Sequence, residues 1–242
     1  MKILAIGNSF SEDATRYLHD VAKKNGDSCK VVNLYIGGCP LRKHYINCLE
    51  NKKAYELQIN GINTGFYVSL KEALISDNWD VVTLQQVSNE SPFFGTYEPY
   101  LTFVADYVRK YLPKVKILIH QTWAYEEGSD RLCKELEFEH YTDMLDEIKS
   151  SYKKAAELVN ADGVIPSGEL FDRMIKMGIK KIHRDTFHAS FGLGRYALAL
   201  LWYSILTGKE ALNGISDFDE MVDEDEIKIA HLAVKELLDY ND

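Results

Sequence analysis

The chain has 242 residues, 46% of them apolar and 27% charged, proportions that exclude collagen-like, low-complexity and largely disordered chains. Its 28 Lys and Arg against 37 Asp and Glu leave a net charge of −9, a sign that argues against general nucleic-acid binding, which needs basic surface to displace phosphate counterions. Residues 217–242 hold 10 acidic and 2 basic side chains, so this stretch carries −8 and the first 216 residues sum to −1.

Ile3-Leu4-Ala5-Ile6, closed by Gly7-Asn8, has the pattern of a strand buried on both faces of a parallel sheet. Residues 12–25 then space Ala14, Tyr17, Leu18, Val21 and Ala22 as a helix does, with Asn25-Gly26 as the stop. Further strands are predicted at 29–36, ended by Gly37-Gly38, at 80–85, at 116–123 and at 163–166, with helices at 69–76, 97–112 and 138–160 between them. This alternation implies about five parallel strands with helices on both faces, because each crossover needs a helix and is right-handed. Residues 54–68 depart from the rhythm and read as a hairpin-like insertion, turning at Asn60-Gly61 or Asn63-Thr64. An apolar helix at 196–207 ends at Gly208. An acidic capping helix at about 224–239 follows, presenting Ile227, Ala230, Val234 and Leu237 on one face. No linker divides the chain, so one domain over 1–242 is expected.

Cys29, Cys39, Cys48 and Cys133 share no CxxC spacing and accompany no zinc-type histidine pattern, so reduced thiols are expected. No apolar run approaches the ~18 residues of a membrane span, and Met1-Lys2 runs directly into a strand, so a cytoplasmic protein without a membrane partner is expected.

Open parallel sheets bind ligands at the carboxyl ends of their strands. After the first strand comes Gly7-Asn8-Ser9-Phe10-Ser11, a turn that can expose a hydroxyl and aim backbone N–H groups at the same point, or in which Ser9 or Ser11 caps the next helix. After the second comes Gly37-Gly38, where missing Cβ atoms let backbone amides approach a ligand or merely make a turn. After the third comes Gln85-Gln86-Val87-Ser88-Asn89-Glu90, whose side-chain amides can donate to a developing oxyanion without a proton equilibrium, or form a turn. Far downstream, Asp185-Thr186-Phe187-His188 allows a carboxylate to fix an imidazole tautomer while the other ring nitrogen faces a serine.

Taken in this order, the four segments resemble the blocks of the SGNH (GDSL-like) hydrolase superfamily, and more closely an SGNH-like branch labelled a domain of unknown function. The resemblance runs from Lys2 to about Gly208 and implies a three-layer α/β/α, flavodoxin-like fold. It implies Ser9 as nucleophile, His188 as general base and Asp185 as its orienter. It further implies an oxyanion hole from the Ser9 and Gly38 (or Gly37) N–H groups and the Asn89 amide. Val87 stands where the family has glycine, and Gln86 competes with Asn89 for the side-chain role. No cofactor or metal is called for. The implied activity is hydrolysis of a small acyl ester, acetyl by preference, on a carbohydrate-like or other polar substrate, with Tyr35, Tyr45, Trp123 and Tyr125 as candidate stacking rings. Two other classes stay open: a non-catalytic ligand-binding module, and a phosphate or nucleotide binder using residues 7–11, for which no GxGxxG or GxxxxGK[ST] is present.

Overall fold

The structure, a computed structural model, describes residues 1–239. The last three residues of the acidic tail lie outside the described residues.

Short apolar runs become buried strands: β1 (Lys2–Gly7), β2 (Lys30–Tyr35), β5 (Val81–Leu84), β6 (Lys116–Gln121) and β7 (Gly163–Pro166). They pair in parallel in the order β2-β1-β5-β6-β7. The sheet nevertheless has seven strands rather than about five. The insertion forms β3 (Tyr55–Ile59) and β4 (Ile62–Val68), and β3 pairs antiparallel with β2, so the hairpin extends the sheet instead of standing beside it. Its turn is Asn60-Gly61, both at positive φ (50° and 78°), the two-residue geometry that suits the twist of hairpin strands. Gly61 is required there, because a Cβ would come within 2.1 Å of the Arg16 carbonyl oxygen.

The predicted helix at 12–25 is two helices, α1 (Ser9–Thr15) and α2 (Leu18–Lys24), interrupted at Arg16-Tyr17 where the hairpin turn meets the chain. Two helices escaped the sequence reading: α3 (Leu41–Glu50) and α7 (Ser167–Lys176). The others fall where the periodicity placed them: α4 (Leu70–Ile75), α5 (Tyr100–Tyr111), α6 (Tyr141–Leu158), α8 (Leu193–Thr207) and α9 (Glu224–Asp239). α1 and α2 pack on α8, which α7 and α9 flank, while α3 and α4 pack on α5 and α6 lies against β6 and β7. Leu4, Ile6, Val32, Leu34, Val82, Leu84, Ile117 and Ile119 are buried between the layers. Apolar burial on both faces favours this arrangement by about 25 cal/mol per Å².

The register places Gly7 beside Tyr35 and Ile6 beside Leu84, which is in turn beside Ile119. The carboxyl ends of β1, β2, β5 and β6 therefore share one rim.

Candidate active site

Ser9 is the first residue of α1, and the turn before it is held by side chains rather than left to solvent. The buried Asn8 caps the helix by accepting from Phe10 N at 3.0 Å, accepts a second bond from Gln85 Nε2 at 2.8 Å, and donates to the Cys39 carbonyl at 3.3 Å. Gln85 is held in turn by His120, whose Nδ1 lies 3.0 Å from Gln85 Oε1; the carbonyl can only accept, so Nδ1 carries the proton. Gly7 leaves no room for a side chain, since a Cβ would lie 2.6 Å from Ser11 Oγ and 2.8 Å from Gln85 Oε1. Asn8, not Ser9 or Ser11, is the capping residue, and the Ser9 hydroxyl is left for another partner.

That partner is His188, 179 residues away in sequence, with Nε2 2.8 Å from Ser9 Oγ. Asp185 Oδ2 lies 2.8 Å from His188 Nδ1, and Oδ1 accepts the His188 backbone N–H at 2.9 Å. A carboxylate only accepts, so Nδ1 donates and Nε2 faces the hydroxyl as acceptor. Burial alone would raise the Asp185 carboxyl, but its bonds from the His188 ring and backbone outweigh burial and hold it below the usual carboxylate value.

The loop carrying Asp185 and His188 is anchored on several sides. Arg184 N donates to the His188 carbonyl at 2.9 Å, Glu126 N to the Thr186 carbonyl at 2.7 Å, and Trp123 Nε1 to the Phe187 carbonyl at 2.7 Å. Arg184 also reaches across to α1, where Nη1 lies 2.9 Å from both oxygens of the fully buried Asp13. Arg195 Nε donates to the same carboxylate at 2.8 Å, and Arg195 Nη1 continues to Asp219 at 3.0 Å. Burial holds the Asp13 carboxyl above its usual value even though the two guanidiniums pull it down. An ion pair therefore bridges the helix that starts at Ser9 and the loop that ends at His188.

The Ser9 hydroxyl opens into a cleft of about 360 Å³ lined by Asn8, Gly38, Ser88, Asn89, Arg131 and His188, with Phe10, Tyr125, Glu135 and Phe187 among the rest. Gly38 has φ +57°, a conformation that favours glycine, and a Cβ there would meet open space. A larger groove, about 960 Å³, lies at the opposite ends of the strands around Trp79, Lys116 and Gly163, away from Ser9.

Several expected site residues are elsewhere. Gln86 is fully buried and does not line the cleft. Its Oε1 accepts from Leu41 N and Val87 N at 2.9 Å each, and its Nε2 donates to the Thr96 carbonyl at 3.1 Å and Thr96 Oγ1 at 3.0 Å, so its amide is committed to holding the start of α3 and the following turn. Asn89, by contrast, is exposed at the cleft. Trp123 is wholly buried, stacked on Phe10 at 4.1 Å, so it offers no face to a ligand. Tyr35 is half-buried and does not line the cleft, and Tyr45 packs against Tyr100 and Phe103. Tyr125 does line it, with its hydroxyl 2.9 Å from Ser88 Oγ. Sequence reading missed Asn8, Ser88, Arg131, Glu135 and the Asp13–Arg184 pair. Arg184, one residue before the DxxH segment, was the only sequence signal of that pair.

The four cysteines are unpaired, with Cys29, Cys39 and Cys48 buried and Cys133 exposed. Among the described residues no group of three His, Cys, Asp or Glu is placed to hold a metal ion, and no helix is long and apolar enough to cross a membrane.

The family described as a domain of unknown function, DUF4886, matches residues 2–236. The chain belongs to this family. A crystal structure of a DUF4886 family protein from Bacteroides uniformis ATCC 8492 is 31% identical, with a TM-score of 0.92 over 100% of this chain and 96% of that one. A protein from Slackia heliotrinireducens, proposed to be an SGNH hydrolase, superposes with a TM-score of 0.62 at 20% identity, over 85% of this chain and 98% of the other. Axe2, an acetylxylan esterase from Geobacillus stearothermophilus, gives 0.55 at 17% identity, over 88% and 96%. These two likenesses establish that this DUF4886 member shares the fold of SGNH hydrolases. No curated protein sequence matches the chain.

Proposed function

We propose that this DUF4886 protein is a serine esterase that removes a small acyl group, acetyl by preference, from a carbohydrate-like or other polar alcohol. The observation that carries the proposal is the continuous path from Ser9 Oγ to His188 to Asp185, two contacts of 2.8 Å each.

In this mechanism Ser9 Oγ attacks the ester carbonyl carbon while His188 Nε2 takes the hydroxyl proton, and the Asp185 carboxylate stabilises the imidazolium without itself being protonated. The carbonyl electron pair moves to oxygen, where the Ser9 and Gly38 N–H groups and the Asn89 side-chain amide receive it. Collapse expels the alcohol, which takes the proton from His188, and leaves an acyl-Ser9 ester. Water then attacks that ester, gives its proton to His188, and releases the carboxylic acid as the proton returns to Ser9. A compact cleft with polar groups from Asn8, Ser88, Asn89, Arg131 and Glu135 suits a short acyl chain better than a fatty one. Axe2, with the same fold, is an acetylxylan esterase. The buried Trp123 supports recognition of the alcohol by polar groups rather than by that ring.

A panel of acetylated sugars and p-nitrophenyl acetate, butyrate and octanoate, assayed with wild type, Ser9→Ala and His188→Ala, tests this reading. Loss of hydrolysis in both variants, and a rate falling with acyl length, is expected. Hydrolysis persisting unchanged in both would refute the catalytic assignment. Failure of a fluorophosphonate to label Ser9 in folded wild-type protein would favour a binding module.

A further inference from the structure

Arg131 is the one cation among the described residues that line the Ser9 cleft. It belongs to a π-helical turn, Arg131–Glu135, a rare form of helix that is frequent at functional sites. Its guanidinium carbon lies 4.2 Å from the centre of the Phe187 ring, and Phe187 lies 3.8 Å, centre to centre, from the His188 ring. The cation is thus held one ring away from the general base. A guanidinium drawn to a ring by cation–π attraction spends none of its five N–H donors on hydrogen bonds to that ring's polar neighbours.

Those donors are unused. The Arg131 carbonyl accepts from Leu136 N at 3.2 Å, but the Arg131 guanidinium makes no hydrogen bond among the described residues. Its ion pair, with Glu135, spans 3.8 Å between side chains that are 43% and 61% exposed, a contact too long for a hydrogen bond and too solvated to count for much. The other two arginines near the site are committed to Asp13. A half-exposed planar cation with free donors, fixed beside a reaction centre in a chain of net charge −9, matches a carboxylate, which accepts two parallel N–H bonds from one guanidinium.

The side of the site follows from the chemistry. His188 must return its proton to the departing alcohol, so the leaving group lies next to His188, and Arg131 stands on Phe187 on that same side. Resting on the esterase reading above, we infer that the substrate is an ester whose alcohol portion carries a carboxylate and that Arg131 binds it. The acyl portion stays small and neutral, and Glu135 acts as a weak internal competitor for the same cation.

The test uses 4-acetoxybenzoate and its neutral twin 4-acetoxybenzamide, with kcat/KM measured for wild type, Arg131→Gln and Glu135→Gln; the ratio of the two substrates compared across variants cancels their difference in leaving-group acidity. Wild type should favour the anionic ester. Arg131→Gln should lower the anionic-to-neutral ratio by about 10- to 100-fold, the usual worth of a charge-assisted pair of hydrogen bonds. Glu135→Gln should raise the ratio. Calorimetric binding of both intact esters to Ser9→Ala, with and without Arg131→Gln, reads the same preference independently of turnover. Tighter anionic binding that Arg131→Gln abolishes upholds the inference even where no hydrolysis occurs. Equal binding of both esters, or a preference unaltered by Arg131→Gln, overturns it, and hydrolysis of the neutral ester lost in Ser9→Ala would then leave the esterase reading standing.

Discussion

Replacing Asp13 by Asn keeps the shape of the side chain and removes the charge that joins the Ser9 helix to the His188 loop. Three guanidinium bonds of 2.8 to 2.9 Å converge on this fully buried carboxylate. Removing one partner of a buried ion pair costs about 3 to 5 kcal/mol, because the remaining charge is stranded. The lower end applies here: Arg195 keeps Asp219 at 3.0 Å, and the Arg184 side chain is 17% exposed and can be partly rehydrated. A loss of ~3 kcal/mol in a chain of this size lowers the melting temperature by roughly 6 to 12 °C. The loss should also appear in the chemistry, since Arg184 directly precedes Asp185 and a displacement of about 1 Å at a reacting group costs up to ~10²-fold. Fluorophosphonate labelling of Ser9 and kcat on p-nitrophenyl acetate, measured well below the melting transition, should both fall about 10- to 100-fold while KM changes little. Arg16→Gln is the control. It breaks a partly exposed pair with Asp219 at the outer end of the same network, should cost under ~1 kcal/mol, and should leave labelling unchanged. An Asp13→Asn protein that melts earlier yet labels at the wild-type rate would show that the bridge stabilises the fold without setting the register of Ser9 against His188.

Asn89→Ala should slow turnover by about 10² to 10³ with an unaltered melting temperature, because Asn89 is an exposed cleft residue, and normal turnover would remove it from the oxyanion hole. Gln86→Ala should do the opposite first, destabilising by about 1 to 3 kcal/mol for each buried N–H of Leu41 and Val87 it strands, as read by urea unfolding. Gly7→Ala should abolish Ser9 labelling, since the added methyl meets Ser11 Oγ and Gln85 Oε1 inside 3 Å; wild-type labelling would show that the turn can shift freely. Burial pushes His120 down to about 3, and His44 and His183 down to about 4. The folded state therefore refuses protons that the unfolded chain binds below its own value of about 6.5. Their stabilising contribution is complete above that pH and is lost as pH falls towards 4, by ~2 kcal/mol per histidine at pH 5. Urea unfolding at pH 7 and 5 should show the drop, and equal stability at both would mean that these rings take up protons in the fold as readily as in the unfolded chain.

What pattern could and could not reveal divides by how far the deciding partner lies along the chain. Ile3 to Ile6 reads as a buried strand because its neighbours repeat the same signal, and the five parallel strands were legible on that basis. Ser9 and the Asp185–His188 spacing were legible because strand ends and DxxH are local arrangements. α3 was not: Arg42 and Lys43 in its first turn, and the buried His44 and Asn47 further on, give it no clean apolar face. The break between α1 and α2 depends on the backbone of Gly61, a remote segment. The two amides, Gln86 and Asn89, are equivalent in sequence, and only the Leu41 N–H and Thr96 decide that Gln86 turns inward.

Asp13 is the sharpest case. A carboxylate in the second turn of a short helix reads as a solvated face, and its burial is licensed by two arginines 171 and 182 residues downstream. An isolated charge could not be buried there, so α1 takes its final place only with the segment from Arg184 to Arg195 docked on it. The docking that completes the core is then the same event that brings His188 to Ser9, and a change that loosens one should loosen the other.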